Sequence, residues 1–447
     1  MAQTSTWLTK GIALLIVGLI IGIAGGYFLY PAVSPVGITE TVTAPGATQT
    51  ITVPVGISLP SEIKIGALLT LSGELKTFGE NHQVALELAQ QEANAYLQKA
   101  GIPSTVKVYV EDTATDPNTA LQKLQALAAQ GIKFYIGPLS SAEARNILKY
   151  ANDNGLLLFS QSSTAVDLAI PGDNLFRNAP NDAAQGIALA VTMKTVGIQY
   201  VVIIHRNDVY GKGLAQSVKD NFLALGGQTS ELIPYDPKAT EFTAQVATLV
   251  QYVQTAINQV GDPKKVGVEL IAFEEAALLI KTIVQNPQYD QLLRQVRWFG
   301  SDGTADSAKL TEDPDVAKFC ADTKFLNTIT APAAENEITQ KVKNYVKQRL
   351  GREPDSYAYN VYDEFWLLLW SILTVGYDVN KVKQILPYVA QGYVGASGPI
   401  AFEDSGDRAP VAYVLRVIDN ISGNWQWTDA GKYIHATKSV TLLDKYK

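Results

Sequence analysis

One cysteine, Cys320, stands among 447 residues, so no internal disulfide framework is available and a buried thiol is the expected state of that side chain. The three histidines, His82, His205 and His435, lie far apart and offer no metal-ligand spacing. His205 ends an apolar stretch and reads as structural or as a rim residue. Positive charge is in deficit: 36 Lys and Arg against 43 Asp and Glu give a net charge of −7. Nucleic acid, whose phosphates reward a basic face, is therefore excluded as the expected partner. No Gly-x-Ser-x-Gly elbow, Walker A loop, His-Glu-x-x-His helix or paired Cys-x-x-Cys occurs. Catalysis thus has no positive support, and no cofactor or metal is expected.

Charge is missing altogether between Lys10 and Glu40. Within that stretch Ile12 through Tyr30 form an apolar run about long enough to cross a ~30 Å hydrocarbon core as a transmembrane helix. The leader carries Lys10 and no acid, which keeps the N-terminus in the cytoplasm and places Pro31 onward outside. A single-pass membrane protein with an extracellular ectodomain is expected. A cleaved secretory signal competes, because Ala32-Val33-Ser34 follows the run, although Pro35 and the length of the run oppose it. A third route resembles archaeal pilin-type processing at Lys10-Gly11. A lipoprotein anchor would need a cysteine just after the run. Residues 31–60 then hold one charge, Glu40, among Thr, Val, Pro and Gly, and are expected to be a linker. Thr39 to Thr43 alternate like a strand, but Pro45 and Gly46 speak against one.

From Ser61 to about Trp427, roughly 370 residues suffice for two domains. Lys64 to Thr70 reads as a buried strand, and Leu86, Ala89, Ala93, Tyr96 and Leu97 mark one face of a helix. Val106, Val108 and Val110 alternate with polar residues as in a second strand. Asp116-Pro117 caps a helix running to Gln130, followed by strand 132–136, helix 142–152 and strand 156–160. This β-α order predicts a parallel, doubly wound sheet. The pattern restarts near Asp182 with helices 183–196, 211–225, 243–260 and 275–284 and strands 200–204, 266–272 and 296–299, which predicts a second α/β lobe. Tyr357 to Leu373 is the most apolar long helix of the ectodomain; Asp363 and Glu364 inside it make it a core helix rather than a second span.

In open α/β sheets, ligands bind beyond the carboxyl ends of strands, where helix N-termini present unpaired N–H groups. Two hydroxyl-rich loops fall there in the first lobe, Gly137-Pro138-Leu139-Ser140-Ser141 and Ser160-Gln161-Ser162-Ser163-Thr164. Short hydroxyls with backbone amides form a receptor for a carboxylate, although each alone also fits a simple N-cap. In the second lobe Asn207-Asp208-Val209-Tyr210-Gly211 and Gly300-Ser301-Asp302-Gly303 occupy equivalent positions. Asp302 is placed to pair with an ammonium and Tyr210 to cover a small ligand; a turn aspartate and a core tyrosine would leave the same traces.

The chain over roughly 62–425 resembles the type I periplasmic binding proteins of ABC importers, specifically the leucine/isoleucine/valine-binding group. The resemblance rests on Ile63-Lys64-Ile65-Gly66, the Gly137 and Gly300 loops, Phe176-Arg177-Asn178-Ala179-Pro180, Tyr210-Gly211-Lys212-Gly213, and Gly398-Pro399-Ile400-Ala401-Phe402 with Gly406-Asp407-Arg408. It implies two Rossmann-like lobes joined by three crossings, near Ala179 to Asp182, Gly303 to Asp306 and Gly392 to Pro399. Behind the anchor or signal at 1–30 and the linker at 31–60, the expected division is first lobe at 61–180 and 305–391, second lobe at 181–304 and 392–427, and a tail at 428–447. By the same resemblance a ligand carboxylate meets Ser141 and Thr164. The Ser162 carbonyl and Asp302 take the ammonium, Tyr210 closes from the second lobe, and Phe78 flanks the ligand side chain. The implied function is capture of an amino acid, branched-chain or a similar small zwitterion, for delivery to an ABC permease. Phe273-Glu274-Glu275 departs from the group's pattern: Glu274 in the cleft would admit a polar or cationic ligand, whereas a solvent-facing helix start would not. A receptor ectodomain shares this fold but needs a cytoplasmic partner, and a structural surface protein would not need Asp302 opposite two hydroxyl loops.

Overall fold

Alternation of buried strands with amphipathic helices produces one parallel and one mixed sheet in the computed structural model, whose described residues are 38–44, 47–53, 57–331 and 335–447. The expected anchor or signal at residues 12–30 lies outside them. Among the described residues no helix is long and apolar enough to cross a membrane. The linker expectation is corrected in part: β1 (Ile38–Ala44) and β2 (Ala47–Val53) pair antiparallel with Ala44 opposite Ala47. Pro45 and Gly46 fall between the two strands rather than inside one, so they do not interrupt the Thr-rich alternation.

The first lobe holds β3 (Glu62–Leu69), β4 (Thr105–Asp112), β5 (Phe134–Ile136), β6 (Leu157–Ser160) and β7 (Leu175–Arg177), all parallel in the order β4-β3-β5-β6-β7. Asp116 caps the helix Pro117–Ala128 through its carboxylate, as its sequence position indicates. The helix Tyr357–Val375 is buried almost end to end and packs on Lys76–Lys99, with Trp370 stacked on Trp366 at 5.3 Å and edge-on to Tyr96 at 5.0 Å. Truncating such an aromatic costs about 3–5 kcal/mol. This is the core helix expected of 357–373, buried in spite of Asp363 because that carboxylate accepts from Ala396 N (2.7 Å) and Ser397 N (2.8 Å).

The second lobe is a nine-stranded sheet. Its strands are β8 (Tyr200–Arg206), β9 (Gln228–Thr229), β10 (Ile233–Tyr235), β11 (Val266–Ile271), β12 (Arg297–Gly300) and β13 (Leu326–Thr330), followed by β16 (Ala412–Ile421), β17 (Asn424–Ile434) and β18 (Ser439–Leu442). The first six are parallel and the last three antiparallel. Between them β14 (Val394–Gly395) and β15 (Gly398–Pro399) pair only with each other.

These pairings move two crossings and three boundaries. The chain does not leave the second lobe at Gly303 to Asp306, because β13 pairs with β12 beyond two short helices; it leaves after Thr330, and Glu337–Leu350 packs into the first lobe's core. The second part of the first lobe therefore starts near residue 335, not 305. Nor does it return at Gly392 to Pro399, since Asp363 ties that hairpin to the first lobe and Arg177 exchanges backbone bonds with Gly406 and Arg408 at 2.9 Å. The return follows Arg408. Residues 428–447 are no tail: β17 and β18 complete the sheet. Pro180, Ala331 and Ala409, one from each crossing, line a common small cavity.

Candidate functional site

The C-terminal ends of β5, β6, β8 and β12 converge where the lobes meet, on a narrow cleft that is partly open to solvent. Ser141, Ser162, Thr164, Tyr210, Asp302 and Phe78, the six residues expected from sequence, all line it, together with Leu75, Leu139, Ser140, Phe273, Gly303 and Tyr357. No Lys, Arg or His is among the lining residues.

On the first lobe the loops are stitched to one another. Ser140 caps the helix Ser141–Asp153 in a capping box with Glu143, so the plain N-cap role belongs to Ser140 and Ser141 is left for another purpose. Ser141 Oγ accepts from Thr164 N (3.0 Å) and Ala165 N (3.1 Å), which leaves its own proton to donate. Ser141 N and Ala142 N, the first two helical amides, have no acceptor within the helix. Thr164 Oγ1 is buried beside the Asp182 carboxyl, while Ser162 Oγ donates to Leu139 O at 2.9 Å. Arg177 holds the second loop by donating to Ser163 O (3.1 Å) and Ala165 O (2.8 Å), and its remaining donors grip Asp407 at 2.6 and 2.7 Å. The separate Arg177 and Asp407 motifs of the sequence are thus one buried, bidentate pair. Gly137, at φ 99°, admits no side chain, since a Cβ would sit 2.3 Å from Leu68 O.

The second lobe contributes charge. Asp302 is 4% exposed. The Tyr210 hydroxyl lies 2.7 Å from its Oδ1 and 2.7 Å from Ser301 Oγ, and Tyr357 of the opposite lobe donates to its Oδ2 at 2.7 Å. Burial raises the Asp302 carboxyl above its ordinary value, against the hydrogen bonds from Tyr357 and Tyr210, which favour the anion. Behind it Asp182, first residue of the helix Asp182–Thr195, is fully buried beside the Thr164 hydroxyl, and its N–H donates to Thr164 O at 2.8 Å. Burial, and then the charge of Asp302, push Asp182 well up. Asp302 is the one carboxyl among the lining residues and no cation stands beside it there, so the cleft suits a positively charged group. Gly303 lets the loops close up: a Cβ there would meet Ala272 O at 2.5 Å and the Phe273 ring at 2.7 Å.

Glu274 does not face solvent. It is 7% exposed, its Oε1 accepts from Thr77 N at 3.3 Å across the cleft, and it is outside the cavity lining. Sequence reasoning missed Tyr357 and Phe273: Tyr357 opens a helix read only as core, and Phe273 was noticed only as a departure from a pattern. His205, buried with Nδ1 2.9 Å from Arg206 O, serves the end of β8.

A model of the periplasmic binding protein family matches residues 62–420. An uncharacterized protein of Methanocaldococcus jannaschii is 38% identical over 312 residues, which are 68% of this chain and 71% of that protein. The Leu/Ile/Val-binding protein of Citrobacter freundii is 25% identical over 65% of this chain and 70% of its own length. Among solved structures, a leucine binding protein of Thermotoga maritima superposes with a TM-score of 0.67 at 21% identity, over 86% of this chain and 99% of that one. A solute binding protein of R. palustris in complex with benzoate gives 0.65 at 19% identity, over 86% and 98%.

Proposed function

The chain belongs to the periplasmic binding protein family, in its leucine/isoleucine/valine-binding type, and from that premise we propose that it captures an amino acid between its two lobes and delivers it to an ABC permease. The observation that carries this reading is the division of the cavity. Hydroxyls and helix-terminal amides of one lobe suit a carboxylate, and Asp302 of the other suits an ammonium, on the two walls of one narrow cleft. Leu75, Phe78, Leu139 and Phe273 make the rest apolar, which favours a branched-chain or similar side chain. A ligand with a carboxylate alone, such as the benzoate of the R. palustris neighbour, would bring a second negative charge toward Asp302 with nothing to neutralise it. In this reading residues 12–30 tether the lobes at the outer face of the membrane, beside the permease.

The test is a thermal-shift screen of the purified protein against amino acids, their amides, aromatic acids and sugars, because a ligand that binds only the native state raises its melting temperature. Amino acids with apolar side chains are expected to give the largest shifts. Stabilisation by sugars or aromatic acids alone would overturn the reading.

A further inference from the structure

Arg206 ends β8 outside the cavity and is 3% exposed. Within its own lobe Nε meets Asp208 Oδ2 at 2.6 Å and Nη1 meets Glu275 Oε1 at 2.8 Å. Its third branch, Nη2, reaches Glu74 Oε2 of the opposite lobe at 3.1 Å. The guanidinium carbon lies over the Phe273 ring, 3.6 Å from its centroid, and that ring stacks on Tyr210 at 5.3 Å and 19°. Phe273 and Tyr210 both line the cavity. Glu275 also fixes Phe273 directly, accepting from its backbone N–H at 3.1 Å. Across the cleft Glu274 N donates to Glu74 O at 3.1 Å, and Thr77 N donates back to Glu274 Oε1.

We propose that Arg206 is a positioning residue of the binding site, joining the Phe273 wall of the cavity to Glu74 of the facing lobe, so that closing the lobes and completing the cavity are one event. This rests on the reading of the cavity as the ligand site. Only a planar cation can do this: the fork supplies three directed donors while its face covers the ring, and a lysine offers neither. Two carboxylates of its own lobe already neutralise Arg206, so Glu74 adds a third negative charge to the cluster and gains a modest net attraction. Burial and the neighbouring Glu275 raise the Glu74 carboxyl, in keeping with a contact that can let go. A grip of that kind governs how fast a closed protein opens, not how a ligand first arrives.

Glu74→Ala tests this, because it spares every contact Arg206 makes within its own lobe. With L-leucine as probe in stopped flow, the dissociation rate should rise about 5- to 20-fold while the association rate stays within about twofold. Without any amino acid present, hydrogen exchange at the Glu274 amide should quicken at least about tenfold in the variant. Lys238→Ala removes a different cross-lobe pair, Lys238 to Asp116 at 3.5 Å and largely exposed, and should change neither reading by more than about twofold. If L-leucine and other amino acids fail to bind the unaltered protein, the functional reading falls, and the exchange experiment still decides the role of Arg206. The proposal is overturned if Glu274 exchanges equally fast in both proteins, if Lys238→Ala matches Glu74→Ala, or if only the association rate moves.

Discussion

The two faces of the cavity are built on opposite principles. The first lobe presents neutral donors locked by covalently distant partners: Ser141 Oγ is fixed by two backbone amides, and Arg177 clamps the loop of Thr164 by two carbonyls. The second lobe presents buried ionisable groups, Asp302 and Asp182, tied to the first lobe by the Tyr357 hydroxyl on Asp302, by Asp182 N on Thr164 O and by the outer contacts of Glu74 and Glu274. A zwitterion needs both faces. Neither lobe alone can satisfy its two charges, so the ligand's own contacts must supply the energy that favours closure.

Breaking the rigid side should have the largest effect. Arg177→Ala strands Asp407 as an unpaired buried carboxylate and is expected to destabilise the fold by about 3–5 kcal/mol. Urea denaturation that finds less than about 1 kcal/mol would deny the clamp its structural role. Breaking the charged side should spare the fold but not the affinity: Asp302→Ala is expected to weaken amino-acid binding by at least about 2 kcal/mol, since the ammonium loses its counter-charge. Calorimetric titration within twofold of the unaltered protein would remove Asp302 from the site.

Smaller losses should follow from the neutral donors. Ser141→Ala and Thr164→Ala are each expected to cost about 1–2 kcal/mol for amino acids and less for their amides. Equal losses for acid and amide would mean that these hydroxyls do not read the carboxylate. The two faces should also separate by pH. An ammonium needs ionised Asp302, whose carboxyl is raised above 3.8, so affinity should hold at neutral pH and fall as pH drops through that raised value. The onset should lie above pH 3.8 and the slope should approach tenfold per unit. Affinity that stays flat or improves across that window contradicts the assignment, as does an Asp302→Asn variant with the same profile.

Local chemistry was legible in the chain and distant chemistry was not. Periodicity marks the β-α order, and the rule that ligands gather at strand ends, joined to the family resemblance, singles out six residues that the fold brings around one cavity. The crossings were displaced because β13 follows the short helices Lys309–Glu312 and Pro314–Asp322, a stretch whose weak periodicity hides a further strand of the same sheet. Residues 428–447 read as a tail in the sequence because only the pairing of β17 with β16 and of β18 with β17 gives their polar, half-exposed residues an inside. Asp407, the carboxylate partner of Arg177, and Glu74, the cross-lobe partner of Arg206, stand 230 and 132 positions away, and no spacing rule reaches that far.

The central claim is that opposite lobes read opposite charges of one small molecule. Isothermal titration of the purified protein with L-leucine, L-leucinamide and 4-methylpentanoate separates the charges while keeping the side chain. The account predicts that the zwitterion binds at least about 2 kcal/mol more tightly than either analogue, and that Asp302→Ala narrows the gap only against 4-methylpentanoate. Binding of 4-methylpentanoate as tight as that of leucine would contradict it.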